Sequence, residues 1–315
     1  MRARTPNSGL DPDFPTLLAF GELSLPIKGG KMKQLVVTAD DFGADLAVNE
    51  AVEEAHVRGV LTAASLMVGA PAAADAVARA RRAPSLRVGL HLVLVEGAPV
   101  SPPAEIPDLV GADGRFRTDM AALGAAIFFR PAVRRQMIAE VEAQFAAFAA
   151  TGLPLDHVNT HKHYHLHPSI LAAILDVGHR YGLKALRAPI EPHEVLARVE
   201  PQGKVGGAWI TAPTILGRWA ALGRGRARRA GVSAPDQVFG LAWSGAMTAE
   251  RLCGVMRCLP DGLSEIYLHP AKSAQYPGSA PGYRYVEEFE ALVNPDVAAA
   301  ARAPDVSLGG FSDFA

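Results

Sequence analysis

The chain has 315 residues, 49% of them hydrophobic, and balances 31 Lys and Arg against 32 Asp and Glu for a net charge of -1. This length admits one large α/β barrel domain, and the apolar fraction excludes extended disorder. No global field draws the chain to nucleic acid or to an anionic bilayer, and no stretch reaches the ~18 apolar residues needed to span one.

Residues 1–31 carry Pro, Gly, Asp and Ser without periodicity. They are expected to form a disordered extension ahead of a single domain over 32–315. Arg2 and Arg4 stand before an apolar run at 17–20 that is too short for the core of a signal peptide. From 32 onward short β-rich runs alternate with helical patterns. Strands are expected over 34–39, 63–68 and 87–94, with helices over 46–58 and 72–82 between them. Pro131 opens a helix to residue 150 in which Val133, Met137, Val141 and Phe145 recur every fourth position. A strand over 156–160, a helix over 168–181 closed by Gly182 and a strand over 184–187 follow. Later strands are expected over 238–243, 265–269 and 306–311, with a helix over 248–258. Cys253 and Cys258 lie in that helix, five positions apart, where they do not pair; they read as buried thiols in a reducing cytoplasm. Two segments break the rhythm: 96–120, rich in Pro, Gly and Asp, reads as a long loop, and 191–236 mixes Pro, Gly, Trp and Arg as an insertion or lid. About seven strand-and-helix units with parallel strands point to a distorted or incomplete (β/α) barrel.

The polar residues gather where strands end, which is the active face of a parallel α/β fold. Asp40 and Asp41 follow the first apolar strand, and adjacent carboxylates repel unless a cation or proton intervenes. Asp45 beside them reads as a helix cap. His91 lies inside an apolar strand. His161, His163, His165 and His167 alternate after the strand at 156–160. In an extended segment they would share one face; if the segment bends before Pro168, only His161 stays at the strand end and the later ones meet substrate or support the ligands. His269 closes another apolar strand and reads as a general acid or a core histidine. Arg187, at the end of a strand, either orients Asp40 or forms a surface ion pair.

The motifs Ala39-Asp40-Asp41-Phe42-Gly43, Gly89-Leu90-His91-Leu92 and the histidine-rich run from Asn159 resemble the YdjC-like carbohydrate deacetylases. The resemblance runs from Met32 to about residue 300. It implies Asp41, His91 and His161 as ligands of one divalent metal ion, Asp40 as base, His269 as candidate acid and a homodimer. Asn159 stands where some members carry Asp. Mixed N and O ligands favour Zn, with Mg or another transition metal as alternatives. One carboxylate and two imidazoles leave coordination positions open, and such a site lowers the pKa of water to as little as ~7. The implied reaction is removal of the N-acetyl group from an amino sugar. The hopanoid-biosynthesis-associated branch would make that substrate an N-acetylglucosaminyl glycolipid; chitooligosaccharides are the alternative within the family. The apolar positions Ile215, Trp219 and Leu222 and the arginines of 209–229 are consistent with peripheral contact with the inner membrane, or with packing on the barrel or a second copy. A glycosidase using Asp40 and a second carboxylate would leave the histidines unexplained; a non-catalytic metal- or sugar-binding module would bind without turnover.

Overall fold

The structure, a computed structural model, describes residues 32–201 and 214–315. The expectations for 1–31 and for Trp209 and its neighbours up to residue 213 lie outside the described residues. In chain order the elements are β1 (Lys33–Phe42), α1 (Leu46–Arg58), β2 (Ala63–Leu66), α2 (Ala73–Arg82), β3 (Arg87–Leu92), α3 (Met120–Phe129), α4 (Pro131–Ala150), β4 (Val158–Thr160), α5 (Pro168–Arg180), α6 (His193–Val199), α7 (Ile215–Arg229), β5 (Gln237–Phe239), α8 (Ala249–Arg257), β6 (Gly262–Leu268), α9 (Tyr285–Leu292), α10 (Pro295–Ala301) and β7 (Val306–Leu308).

The strands pair in parallel in the order β4-β3-β2-β1-β6-β5. β1 is the centre and is buried from Leu35 to Phe42. One of its edges pairs with β6 over Lys33 to Ala39; β2 pairs with Thr38 to Phe42, and β7 with Lys33 to Leu35. Between β4 and β5 the expected strand at 184–187 is reduced to single bridges, Val158 to Leu186 and Ala185 to Ser233. Val238 N–H then donates to the Ile190 carbonyl at 2.9 Å. The curled sheet with helices around it is therefore the incomplete α/β barrel expected from the alternation. The irregular stretch reflects Ala188-Pro189, because proline cannot donate to a ladder and restricts the residue before it.

α4 buries Val133, Met137, Val141 and Phe145, as its period predicts, and also Glu140 and Gln144. Glu140 accepts the N–H groups of Val100 and Ser101, and Gln144 bonds both backbone groups of Val93, so this helix fixes the loop after β3. α3 was not expected. Its sequence is apolar on every side, so no periodic signal marks it. The 96–120 loop holds a short 3-10 turn at Pro103–Glu105, and 191–236 contains α6 and α7. Asp45 caps α1 through the Ala47 N–H, as expected. Cys253 is buried, Cys258 partly so, and both are free thiols. On α7, Ile215 (87% exposed) and Leu222 are exposed, while the half-exposed Trp219 donates its ring N–H to the Leu166 carbonyl at 2.8 Å and so rests against the barrel.

Candidate metal centre

At the end of β1, the three steps from Ala39 to Phe42 match only two steps on β2, and Asp41 has a φ of 61°. This one-residue bulge explains how neighbouring aspartates serve one site. In a regular strand they would point to opposite faces, whereas here both approach His91, Asp41 Oδ1 at 3.3 Å and Asp40 Oδ1 at 3.9 Å. The left-handed backbone at an aspartate costs on the order of 1 kcal/mol, offset by its surroundings.

His91 from β3 and His161 just past β4 complete a cluster with Asp41. His161 Nδ1 lies 3.5 Å from Asp41 Oδ1 and 3.5 Å from His91 Nε2, and one atom from each side chain falls within 4.8 Å of the others. Asp41 Oδ1 is buried without a hydrogen-bond partner. An orphaned carboxylate oxygen facing two ring nitrogens fits a divalent cation, which satisfies all three at once. Burial pushes the Asp41 carboxyl up, but His161, then His91 and His269, bring it down to about 2. Burial lowers His91 despite Asp40 and Asp41, which keeps it neutral and able to ligate.

The atoms behind the cluster fix its orientation. Asn159 of β4 donates from Nδ2 to Asp40 Oδ1 at 2.9 Å and accepts from His91 Nδ1 at 2.7 Å. His91 therefore carries its proton on Nδ1 and turns the Nε2 lone pair to the cluster. Arg187 is 1% exposed, which excludes the surface ion pair. It holds Asp40 through two bonds, Nη1 to Oδ2 at 2.6 Å and Nη2 to Oδ1 at 3.0 Å, and holds Glu265 on its other side. Burial alone would raise the Asp40 carboxyl, but the charge and hydrogen bonds of Arg187, with His91, hold it well below the usual range.

The histidine run bends as the alternative reading required. Lys162 and His163 take left-handed backbone (φ 54° and 53°) within a short turn over His161–Leu166. His163 Nε2 shares a hydrogen bond with the Tyr267 hydroxyl at 3.1 Å, His165 shares one with Thr160, and His167 caps α5. Burial pushes His163 well down and His165 to about 3, so both are neutral supports. His269 stacks edge-on with Tyr267 and Tyr283, and its Nδ1 has no partner within hydrogen-bond distance. Its backbone N–H is held by Glu288, a residue the sequence reading passed over. A cleft of about 460 Å³, within the range of small-molecule sites, opens over Asp41 and His161 and is lined by Met67, Gly97, Gln144 and Tyr276.

An incomplete parallel barrel whose strand tips gather a carboxylate and two imidazoles defines a class: α/β barrels with a candidate divalent-metal site. Within that class the family model described as YdjC-like protein matches residues 34–303, and the chain belongs to this family. A carbohydrate deacetylase of Geobacillus stearothermophilus is 29% identical over 283 residues, 89% of this chain and 97% of that protein. That of Brevibacillus brevis is 41% identical over 148 residues, 47% of this chain and only 56% of its own length. An Enterococcus faecalis V583 crystal structure, of a protein proposed to act in cellobiose-phosphate cleavage, shares the fold with a TM-score of 0.70 at 24% identity, over 90% of this chain and 99% of that one.

Proposed function

We propose that the protein hydrolyses the N-acetyl group of an acetylated amino sugar, with Asp41, His91 and His161 holding one divalent ion. The convergence of those three ligand atoms around an unpartnered carboxylate oxygen carries this reading, and the deacetylase relatives support it. The ion supplies Lewis-acid charge to a carbonyl oxygen and to water when bound. Zn suits the donor set, with Mg or another transition metal as alternatives. Asp40 accepts the proton of the attacking water. Arg187 and Asn159 fill three of its acceptor positions and leave one on Oδ2 free to take a proton. His269 protonates the departing amine, which leaves poorly without that proton. The Asp41 and His161 ends of the cleft bind the acetamide, and its apolar wall faces the sugar ring.

The substrate is a glycolipid or a chitooligosaccharide. The exposed Ile215 and Leu222, with the half-exposed Trp219 between them, favour the glycolipid, because an apolar stripe beside arginines suits a headgroup region; the same stripe suits a homodimer face. A glycosidase needs two carboxyl groups flanking a bond, and Glu265, which shares Arg187 with Asp40, is fully buried. Mass spectrometry of acetylated glycolipids and chitooligosaccharides, incubated with protein of known metal content, tests the reading. A loss of about 42 Da, acetyl exchanged for hydrogen, supports it. Unchanged substrates with metal-loaded protein, or release of reducing sugar, contradict it.

A further inference from the structure

Behind the metal cluster, Ser65 of β2 and Asp156 and His157 before β4 form a series that the reaction above does not use. Ser65 Oγ lies 2.9 Å from His157 Nε2, and His157 Nδ1 lies 2.9 Å from Asp156 Oδ2. The order Ser, His, Asp is that of a hydrolytic triad. Ser65 and His157 are 0% exposed and Asp156 3%, so no substrate reaches them. Ser65 Oγ also accepts Asn159 Nδ2–H at 2.9 Å, which ties the hydroxyl to the site's amide.

We propose that Asp156, His157 and Ser65 are positioning residues that fix the hydrogen-bond polarity of Asn159 and, through it, the tautomer of His91 and the placement of Asp40. The proposal rests on the reading of His91 as a metal ligand.

The proton positions follow from the two ends of the series. Asp156 accepts three hydrogen bonds besides that of His157: Ser312 N–H and hydroxyl reach Oδ1 at 2.8 and 2.6 Å, and Phe311 N–H reaches Oδ2 at 3.2 Å. His157 therefore presents its Nδ1 proton to Asp156. Its Nε2 is left to accept, and the Ser65 hydroxyl donates to it. Ser65 then offers Asn159 only a lone pair, so the amide turns its NH2 toward Ser65 and Asp40 and its oxygen toward His91. Each group has one consistent role, and the orientation agrees from the core outward.

β3 is adapted to this series along one face. Gly89 leaves room for the His157 ring, since a Cβ there would sit 2.5 Å from its Cε1. Arg87, two residues earlier, pairs with Asp313 at 2.6 Å and fastens the turn at Phe311–Asp313. Phe311 of that turn packs on His157 with ring centroids 4.7 Å apart. His91, two residues beyond Gly89, is the ligand the series supports.

The test combines histidine-tautomer NMR on the metal-free protein with Co2+ titration of the full chain, wild type and variants. In the wild type, long-range proton–nitrogen spectra should show His157 and His91 protonated on Nδ1. In Asp156→Asn the amide can donate to Nδ1, and His157 should switch to the Nε2–H tautomer. In Ser65→Ala, a small change that keeps the strand packed, Co2+ binding should weaken about tenfold, the low end for an outer support. A thermal melt confirms that both variants fold. His157 protonated on Nε2 in the wild type, or unchanged Co2+ affinity in Ser65→Ala, would overturn the proposal. Wild type that binds no Co2+ overturns the ligand assignment, and the tautomers still decide the series.

Discussion

On the inner side of the site Asp40, Asn159, Arg187 and Glu265 are at most 2% exposed and joined by five hydrogen bonds of 2.6 to 3.0 Å, whereas at the mouth Lys162 and His163 hold left-handed backbone and the Lys162 ammonium pairs with Glu96 in a half-exposed setting. The inner groups keep fixed positions because two buried carboxylates share one guanidinium and moving any of the three strands another. The mouth combines backbone strain with solvent-screened charge, so it adapts at small cost. The proposed reaction would use both: proton-handling groups set in place before substrate arrives, and a rim that accommodates it.

The sharpest way to break this comparison is at Asp40. Asp40→Asn should lower kcat by roughly 10²- to 10⁴-fold while the bound metal stays, because proton transfer is lost and the ligands are not. Steady-state kinetics beside metal analysis reads both quantities, and loss of metal would show that Asp40 holds the ion itself. Arg187→Met should come next, with unfolding free energy reduced by about 3–5 kcal/mol, because two buried carboxylates lose their shared cation. Urea denaturation measures it, and a change under 1 kcal/mol would mean the inner side is not held by this triad of charges.

Acid should act on the inner scaffold in a defined window. Burial raises the Asp156 carboxyl, but His157 and Ser312 outweigh it and bring the group from 3.8 to about 2. A depressed carboxyl contributes stability above its unfolded value and loses it as pH falls through the folded one. The contribution, roughly 2 kcal/mol, is thus complete above about pH 5 and disappears between about pH 4 and 2. The stability gap between wild type and Asp156→Asn should close over that range; a gap independent of pH would contradict it. The smallest effect belongs to the mouth: Lys162→Ala should change stability by at most about 1 kcal/mol, as for other exposed pairs.

The alternation of strands and helices made the barrel legible; Asp40, Asp41 and His161 were legible because each sits where an apolar run ends, and His91, inside an apolar strand, only in their company. Arg187 was half legible: its position at a strand end was plain, but burial decides between an orienting group and a surface ion pair, and burial is a tertiary property. The spacing of the histidines drew attention forward from His161, yet the useful alternation runs backward. His157, Asn159 and His161 follow the period of two across β4, and the first two both meet Ser65. Ser65 itself lies in an apolar strand with no local mark, so only the packed sheet reveals it. The bulge at Asp41 escaped notice, and the bend of the histidine run was only one of two readings, because left-handed backbone at non-glycine residues has little sequence signature.

The central claim is that one ion is shared by Asp41, His91 and His161. Elemental analysis of purified wild type and His91→Ala, equilibrated with Zn2+ and freed of excess, tests it most directly. The account requires one tightly held ion per wild-type chain and its loss from the folded variant; equal metal content in the two would contradict it.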